Sequence, residues 1–270
     1  MLQTCLALRR RLGNPVEIAA TLSTLSISLL SCGDVDGAAA CEREAVELFT
    51  AAGDTVGVCI GLLHLGQCAI ALGDEKQARS DLDQSLALAR RIVHHEVEAE
   101  CELLLGSIEF DAGKTSAAKL HFTSSQATCL GAGDKRGSAH ALRWLGKVDL
   151  VEGRLEQARQ RLSDALQDFH SFEMREDVFA CIEDLAQLAA MQGQAGLAAQ
   201  LAAAVGRSRV RLALDRLPRQ EQRWQAWLDT QRASLGDAEF DAAWAVGRGW
   251  EIDEAMRRAT SAAEMASEVS

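Results

Sequence analysis

Gly113-Lys114-Thr115 is the tripeptide in this chain most suggestive of chemistry. A phosphate-binding loop ends in Gly-Lys-Ser/Thr, but it also needs an earlier glycine and a strand leading into it. Ile108 stands where that glycine belongs, so the loop is not expected here. Histidines are the next candidates. His94 and His95 are adjacent, and adjacent residues on a helix project about 100° apart, so they do not converge on a metal as a pair one turn apart does. His64, His121, His140 and His170 show no ligand spacing, and no Gly-x-Ser-x-Gly elbow frames any serine. The pairs Glu98/Glu100 and Asp81/Asp83 lie in charge runs typical of solvated helix faces. No catalytic, cofactor or metal site is expected.

Binding is better represented. Arg136, His140, Arg143 and Lys147 fall on one helical face, and Arg143/Lys147 are spaced to grip a carboxylate or an acidic peptide. Asp149 and Glu152 are near enough in sequence to balance them, which leaves a simple solvated face as the alternative. Ile27, Leu30, Ile60, Leu63, Gln67, Ile70, Leu103 and Phe110 form a more apolar stripe, suited either to an amphipathic helical partner or to packing between helices. Arg207, Arg209, Arg211, Arg216, Arg219 and Arg223 make a local basic stretch, expected to face acidic segments or water rather than DNA. Trp224, Trp227, Trp244 and Trp250 are expected to anchor a C-terminal core.

The elements that carry these residues follow one metre. Gly33, Gly73, Gly113, Gly153 and Gly193 recur every 40 residues, with Ala38, Ala78, Ala118, Ala158 and Ala198 after them and Leu25, Leu65, Leu105, Leu145 and Leu185 before. Such a period marks a stack of near-identical units. Each unit reads as a helix pair: 15–31 with 35–52, 55–72 with 75–92, 95–112 with 115–131, 135–152 with 155–172, and 175–192 with 195–213. Glycine closes one helix and aspartate caps the next. His94-His95 and Glu173 stand where other joints between units carry glycine, which predicts gentler turns there. Residues 1–12 match a second helix, a half unit with an apolar face left for a partner or for further chain. From 214 the period ends, and a helical cap with a frayed tail is expected over 214–270.

Composition fits. The chain has 270 residues, two prolines and no tyrosine, and is 48% hydrophobic. That favours helix and excludes a disordered chain. No apolar run approaches the ~20 residues of a membrane span. A net charge of −11 works against nucleic-acid or anionic-membrane binding. No secretory signal is visible. The eight cysteines contain no Cys-x-x-Cys pair and read as small buried thiols of a cytoplasmic protein. Cys101 and Cys181 share a register with Thr21, Gly61 and Ala141, which predicts a slot for small side chains.

Leu65-Gly66, Gly73, Ala78, Leu82 and Ser85 resemble the tetratricopeptide repeat, as do Leu105-Gly106, Gly113, Ala118, Phe122, Ser125 and Leu145-Gly146, Gly153, Ala158, Leu162, Ala165. The family aromatic in the first helix is replaced by Leu22, Leu62, Leu142 and Ile182, with Glu102 out of pattern. The family period is about 34, so each unit here is about six residues longer. The tail Ser234 to Ala255 is similar to the end of the sensor region in large bacterial LuxR-like, MalT-like and antibiotic-regulator-type transcription factors. The resemblance implies an all-α, right-handed α-solenoid of hairpins over 1–213 with a helical cap. It implies a non-catalytic, signal-sensing interaction domain. Its partner would be a protein or peptide in the concave groove, or an attached NTPase or DNA-binding module. The carboxylate-clamp arrays of the family also use asparagines, and here only Asn14 is present. The alternatives are a free-standing scaffold and, from another class, a nucleotide-binding or hydrolytic enzyme on a helical frame.

Overall fold

The computed structural model describes residues 2–214, 216 and 218–261, the side chains of 218 and 219 excepted. The expected fraying of the tail at 262–270 falls outside these residues. Among them there are fourteen helices and no strand: α1 (Leu2–Leu12), α2 (Pro15–Ser31), α3 (Val35–Ala52), α4 (Thr55–Leu72), α5 (Glu75–Ile92), α6 (His95–Asp111), α7 (Thr115–Ala132), α8 (Lys135–Val151), α9 (Leu155–Ser171), α10 (Arg175–Met191), α11 (Ala195–Leu212), α12 (Pro218–Leu235), α13 (Asp237–Arg248) and α14 (Ile252–Ser261).

The turns explain the metre. Gly33, Gly53, Gly73, Gly133, Gly153 and Gly193 all hold positive φ. In each turn the following amide reaches back into the closing helix, as in Asp34 N–H to the Leu29 carbonyl at 2.9 Å and Asp54 N–H to Phe49 at 2.9 Å. These are Schellman closures. Asp34, Asp54, Asp74 and Asp134 then cap the next helix, each accepting a backbone N–H at 3.0 Å. The joints expected to be gentler are not. Val93 and Glu173 take φ of 58° and 57°, in register with the glycines. The residue in the glycine register is Val93 rather than His94, and stacking of the flanking hairpins imposes the left-handed turn on side chains that resist it.

The chain forms two compact units, residues 1–141 and 142–270. In the first, α2/α3, α4/α5 and α6/α7 are antiparallel hairpins, and each hairpin packs on the next through α3/α4 and α5/α6. The first helices also touch along the stack, α2 to α4 and α4 to α6, so they line its inner side. The Leu-Gly motif has a steric cause. A Cβ on Gly66 would come 2.7 Å from Leu82, and one on Gly106 would come 2.6 Å from Phe122. Ser85 and Ser125 donate to the Cys59 and Ala99 carbonyls at 2.7 and 2.8 Å, stitching second helix to first. The core joins Cys59, Leu63, Leu82, Leu86, Cys101 and Leu105, with Ile70 packed against it.

Helix α4 is long and apolar enough to span a membrane by length and composition alone, contrary to the expectation that no such run exists. Helices α2, α3, α5 and α6 pack against it, and 39% of it is buried in the fold.

In the second unit Gly146 meets Leu162 as Gly66 meets Leu82. The cap forms as expected: Trp224, Leu228 and Phe240 pack on Ala199 and Ala202 of α11. Trp227 and Trp244 are only partly buried beside them. Helix α14 turns back against α9, α10 and α11.

Candidate groove of the first unit

Because α4, α6 and the opening turns of α8 present their inner faces together, they frame a cleft of about 350 Å³. Ile60, Leu63, Val97 and Leu103 supply its apolar lining. Glu96, Glu100, Asp134, His64, His94 and His140 supply its polar lining. Ile60, Glu100 and His140 share one register of the 40-residue repeat, one residue from each successive first helix. That register is legible in the sequence, whereas the charge run around Glu100 predicts a solvated face. In the fold it is half-buried. Burial raises its carboxyl above the ordinary range; His140 and a hydrogen bond from Gln67 pull it down, while Glu96 and Asp134 push it up, and the balance is upward.

Beside the cleft lies a buried polar cluster. Glu42 is fully buried and stands where the other second helices carry Leu82, Phe122 and Leu162. Ser26 replaces the glycine opposite. Ser23 donates to Glu42 Oε1 at 2.6 Å, and His64 Nδ1 lies 3.5 Å from the same oxygen. Ser23 Oγ also lies 3.4 Å from His64 Nδ1, the same ring nitrogen that faces Glu42, so serine and carboxylate do not flank the imidazole on its two nitrogens as in a nucleophilic triad. Glu102, the residue out of pattern in the repeat motif, is likewise buried. It is held by His121 Nδ1 at 2.6 Å, Ser124 at 3.2 Å and Arg90. Burial alone would raise its carboxyl, but His121 and Arg90 outweigh that, and it sits below the usual range.

The expected site residues separate. Leu63 and Leu103 line the cleft, Gln67 supports Glu100, and Ile70 belongs to the inter-helix core. Phe110 is half-buried near the far end of α6, and Ile27 is 49% exposed. His140 faces the cleft, and Arg136 is exposed on the first turn of the same helix. In the second unit Arg143 donates to Asp184 at 2.6 Å and to the Ala180 carbonyl at 3.3 Å. Lys147 sits 4.1 Å over the Trp144 ring. Asp149, weighed as a counter-charge for them, is taken by Arg154 and Arg161 at 2.5 and 2.6 Å.

The other chemical candidates resolve into structure. Gly113 is a turn glycine at φ 74°, and Lys114 pairs with Glu109 at 3.3 Å. His94 caps α6, with Nδ1 accepting from Val97 at 3.4 Å. Asp81 is buried beside Gln77 instead of solvated. All eight cysteines are free thiols. Cys101 and Cys181 fill the small slot as expected, and burial pushes Cys101 up to about 12, which keeps it protonated and unreactive. Cys32 departs from the buried reading and is exposed. Four arginines of the basic stretch are tied to carboxylates, Arg209 and Arg216 to Glu183 at 2.9 and 2.6 Å and Arg207 and Arg211 to Glu251, while the Arg219 side chain lies outside the described residues. No group of three metal-ligating side chains converges among the described residues.

These features define a class, an α-solenoid of tetratricopeptide-like hairpins. Two solved structures share the fold. One is a Rap protein complexed with competence and sporulation factor, with a TM-score of 0.64 at 12% identity, covering 94% of this chain and 77% of that one. The other is the Rap conjugation gene regulator of the plasmid pLS20 in complex with the Phr* peptide, with a TM-score of 0.56 at 14% identity, covering 94% and 76%. No protein-family model and no curated protein matches the chain.

Proposed function

We propose that this chain is a non-catalytic recognition domain that takes a peptide or a short protein segment in the cleft of its first unit. The observation that carries this reading is the inner face of α4, α6 and α8, where an apolar floor and a few polar groups enclose about 350 Å³. That is the size and character of a small-ligand or side-chain pocket. The peptide complexes of the two Rap structures support the reading by analogy of fold. The finer proposal is that residues 1–213 act as the sensor array and 214–270 as the cap of a bacterial transcriptional regulator, with an NTPase module attached. The similarity of the 234–255 tail to such regulators supports it. Ligand binding would then shift the balance between arrangements of the attached module.

The groove is tested by selecting phage-displayed heptapeptides on the whole chain and measuring their affinity for Leu63→Arg and Leu103→Arg variants. A loss of about tenfold or more is expected, since each change puts a charge on the apolar floor. Leu120→Arg, at a position 75% exposed on α7, serves as control and should bind normally. Unchanged affinity in both groove variants would remove the cleft from consideration. Finding no NTPase or helix-turn-helix coding sequence beside the gene would count against the regulator proposal.

A further inference from the structure

The charge inside the cleft says what kind of peptide it takes. Among the described residues, several carboxylates within the fold have basic partners: Glu102 has Arg90 and His121, Asp149 has Arg154 and Arg161, Asp184 has Arg143, and half-buried Glu183 has Arg209 and Arg216, while buried Asp81 has the amide of Gln77. Glu100 has a different setting. The groups acting on it are the neutral amide of Gln67, the imidazole of His140, and two further carboxylates, Glu96 and Asp134. Asp134 is already engaged in capping, its Oδ1 accepting the Gly137 N–H at 3.0 Å. Burial first, and then the like charges of Glu96 and Asp134, disfavour the Glu100 anion more than His140 and Gln67 favour it. A cation placed there would relieve both. The apolar lining of Ile60, Leu63, Val97 and Leu103 favours a cation on an organic stem over a hydrated metal ion. The carboxylates oppose a nucleic acid.

Resting on the peptide-groove reading, we propose that the cleft selects a peptide bearing one lysine or arginine, whose head pairs with Glu100 and Glu96 while flanking apolar side chains lie on Leu63 and Leu103. The basic stem fits along the apolar wall, and its charged end meets the one register in which successive first helices bring Ile60, Glu100 and His140 together. The assignment concerns the cleft of the first unit alone.

The test uses heptapeptides selected on the wild-type chain. Sequences carrying a basic residue beside apolar ones are expected. Replacing that residue by citrulline or norleucine should weaken binding about tenfold or more, and Glu100→Gln should do the same. In Glu100→Gln the peptide change should then cost little more, because both changes remove one interaction. Circular dichroism melts confirm that the variant folds. If the selected peptides lack basic residues, or Glu100→Gln binds them as tightly as wild type while Leu103→Arg does not, the charge assignment is wrong and the groove stands. If Leu103→Arg also binds normally, or no peptide is selected, both fall.

Discussion

Glu100 and Glu102 sit two residues apart on one helix and do opposite things. Glu102 points between hairpins into an ion-paired cluster and is held below its ordinary range, first against the cost of burial and then by His121 and Arg90. Its favourable contribution is present above the unfolded carboxyl range and is lost as pH falls through its depressed folded value. Glu100 points into the cleft and is held above its ordinary range by burial. It destabilises the fold at neutral pH, and the strain is relieved as pH falls through its raised value. Thermal melts should therefore show Glu102→Gln less stable than wild type at neutral pH, by about 2 kcal/mol. Glu100→Gln should be more stable, and both differences should shrink on acidification. A stabilising change that weakens ligand binding would mark Glu100 as kept for recognition. The sequence shows both glutamates but not this division. Charge-run reasoning put Glu100 in water, and only the register shared with Ile60 and His140 signals otherwise.

The helices themselves were readable. Glycine at eight of the ten half-period joints, followed by aspartate at four of them, marks where one helix stops and the next starts, and the observed ends match the expected ones to a residue or two over the repeats. The joints at Val93 and Glu173 were misread because the backbone there is dictated by stacking rather than by the local residue. Val93 is 65% exposed and β-branched at φ 58°, so its side chain gains little packing and strains the turn. Val93→Gly should raise the melting temperature, the relief of about 1 kcal/mol exceeding the added freedom of the unfolded chain. Gly106→Ala should lower it, at a cost of about 1–3 kcal/mol in stability, because the new methyl meets the fully buried Phe122 ring. Equal melts for all three proteins would contradict the steric reading of the Leu-Gly motif. Polar pairs spanning two helices, such as Glu42 with Ser23 and Arg143 with Asp184, were not legible, because partners 19 and 41 residues apart leave no local pattern.

On the scale of the whole chain, charge is the property that limits partners. The net charge is −11, and Arg207, Arg209, Arg211 and Arg216 near the end of the repeats are bound to Glu183 and Glu251. Long-range repulsion of phosphate is then unopposed by any basic surface these arginines could provide. A short DNA duplex should show no salt-dependent binding to this chain in a mobility-shift assay at low ionic strength. Retardation that weakens with added salt would overturn that expectation and return the arginine stretch to consideration as a nucleic-acid contact.

Solenoid modules are often treated as interchangeable bricks. These are keyed. Glu42 needs His64 of the hairpin that follows it, Glu102 needs Arg90 of the hairpin before it, and Asp184 needs Arg143 of the hairpin before it. Shuffling hairpins by recombination would strand a buried anion against a hydrocarbon neighbour, a far larger penalty than a misfit between two leucines. Each such pair turns the sequence of hairpins from a permutation into a fixed order.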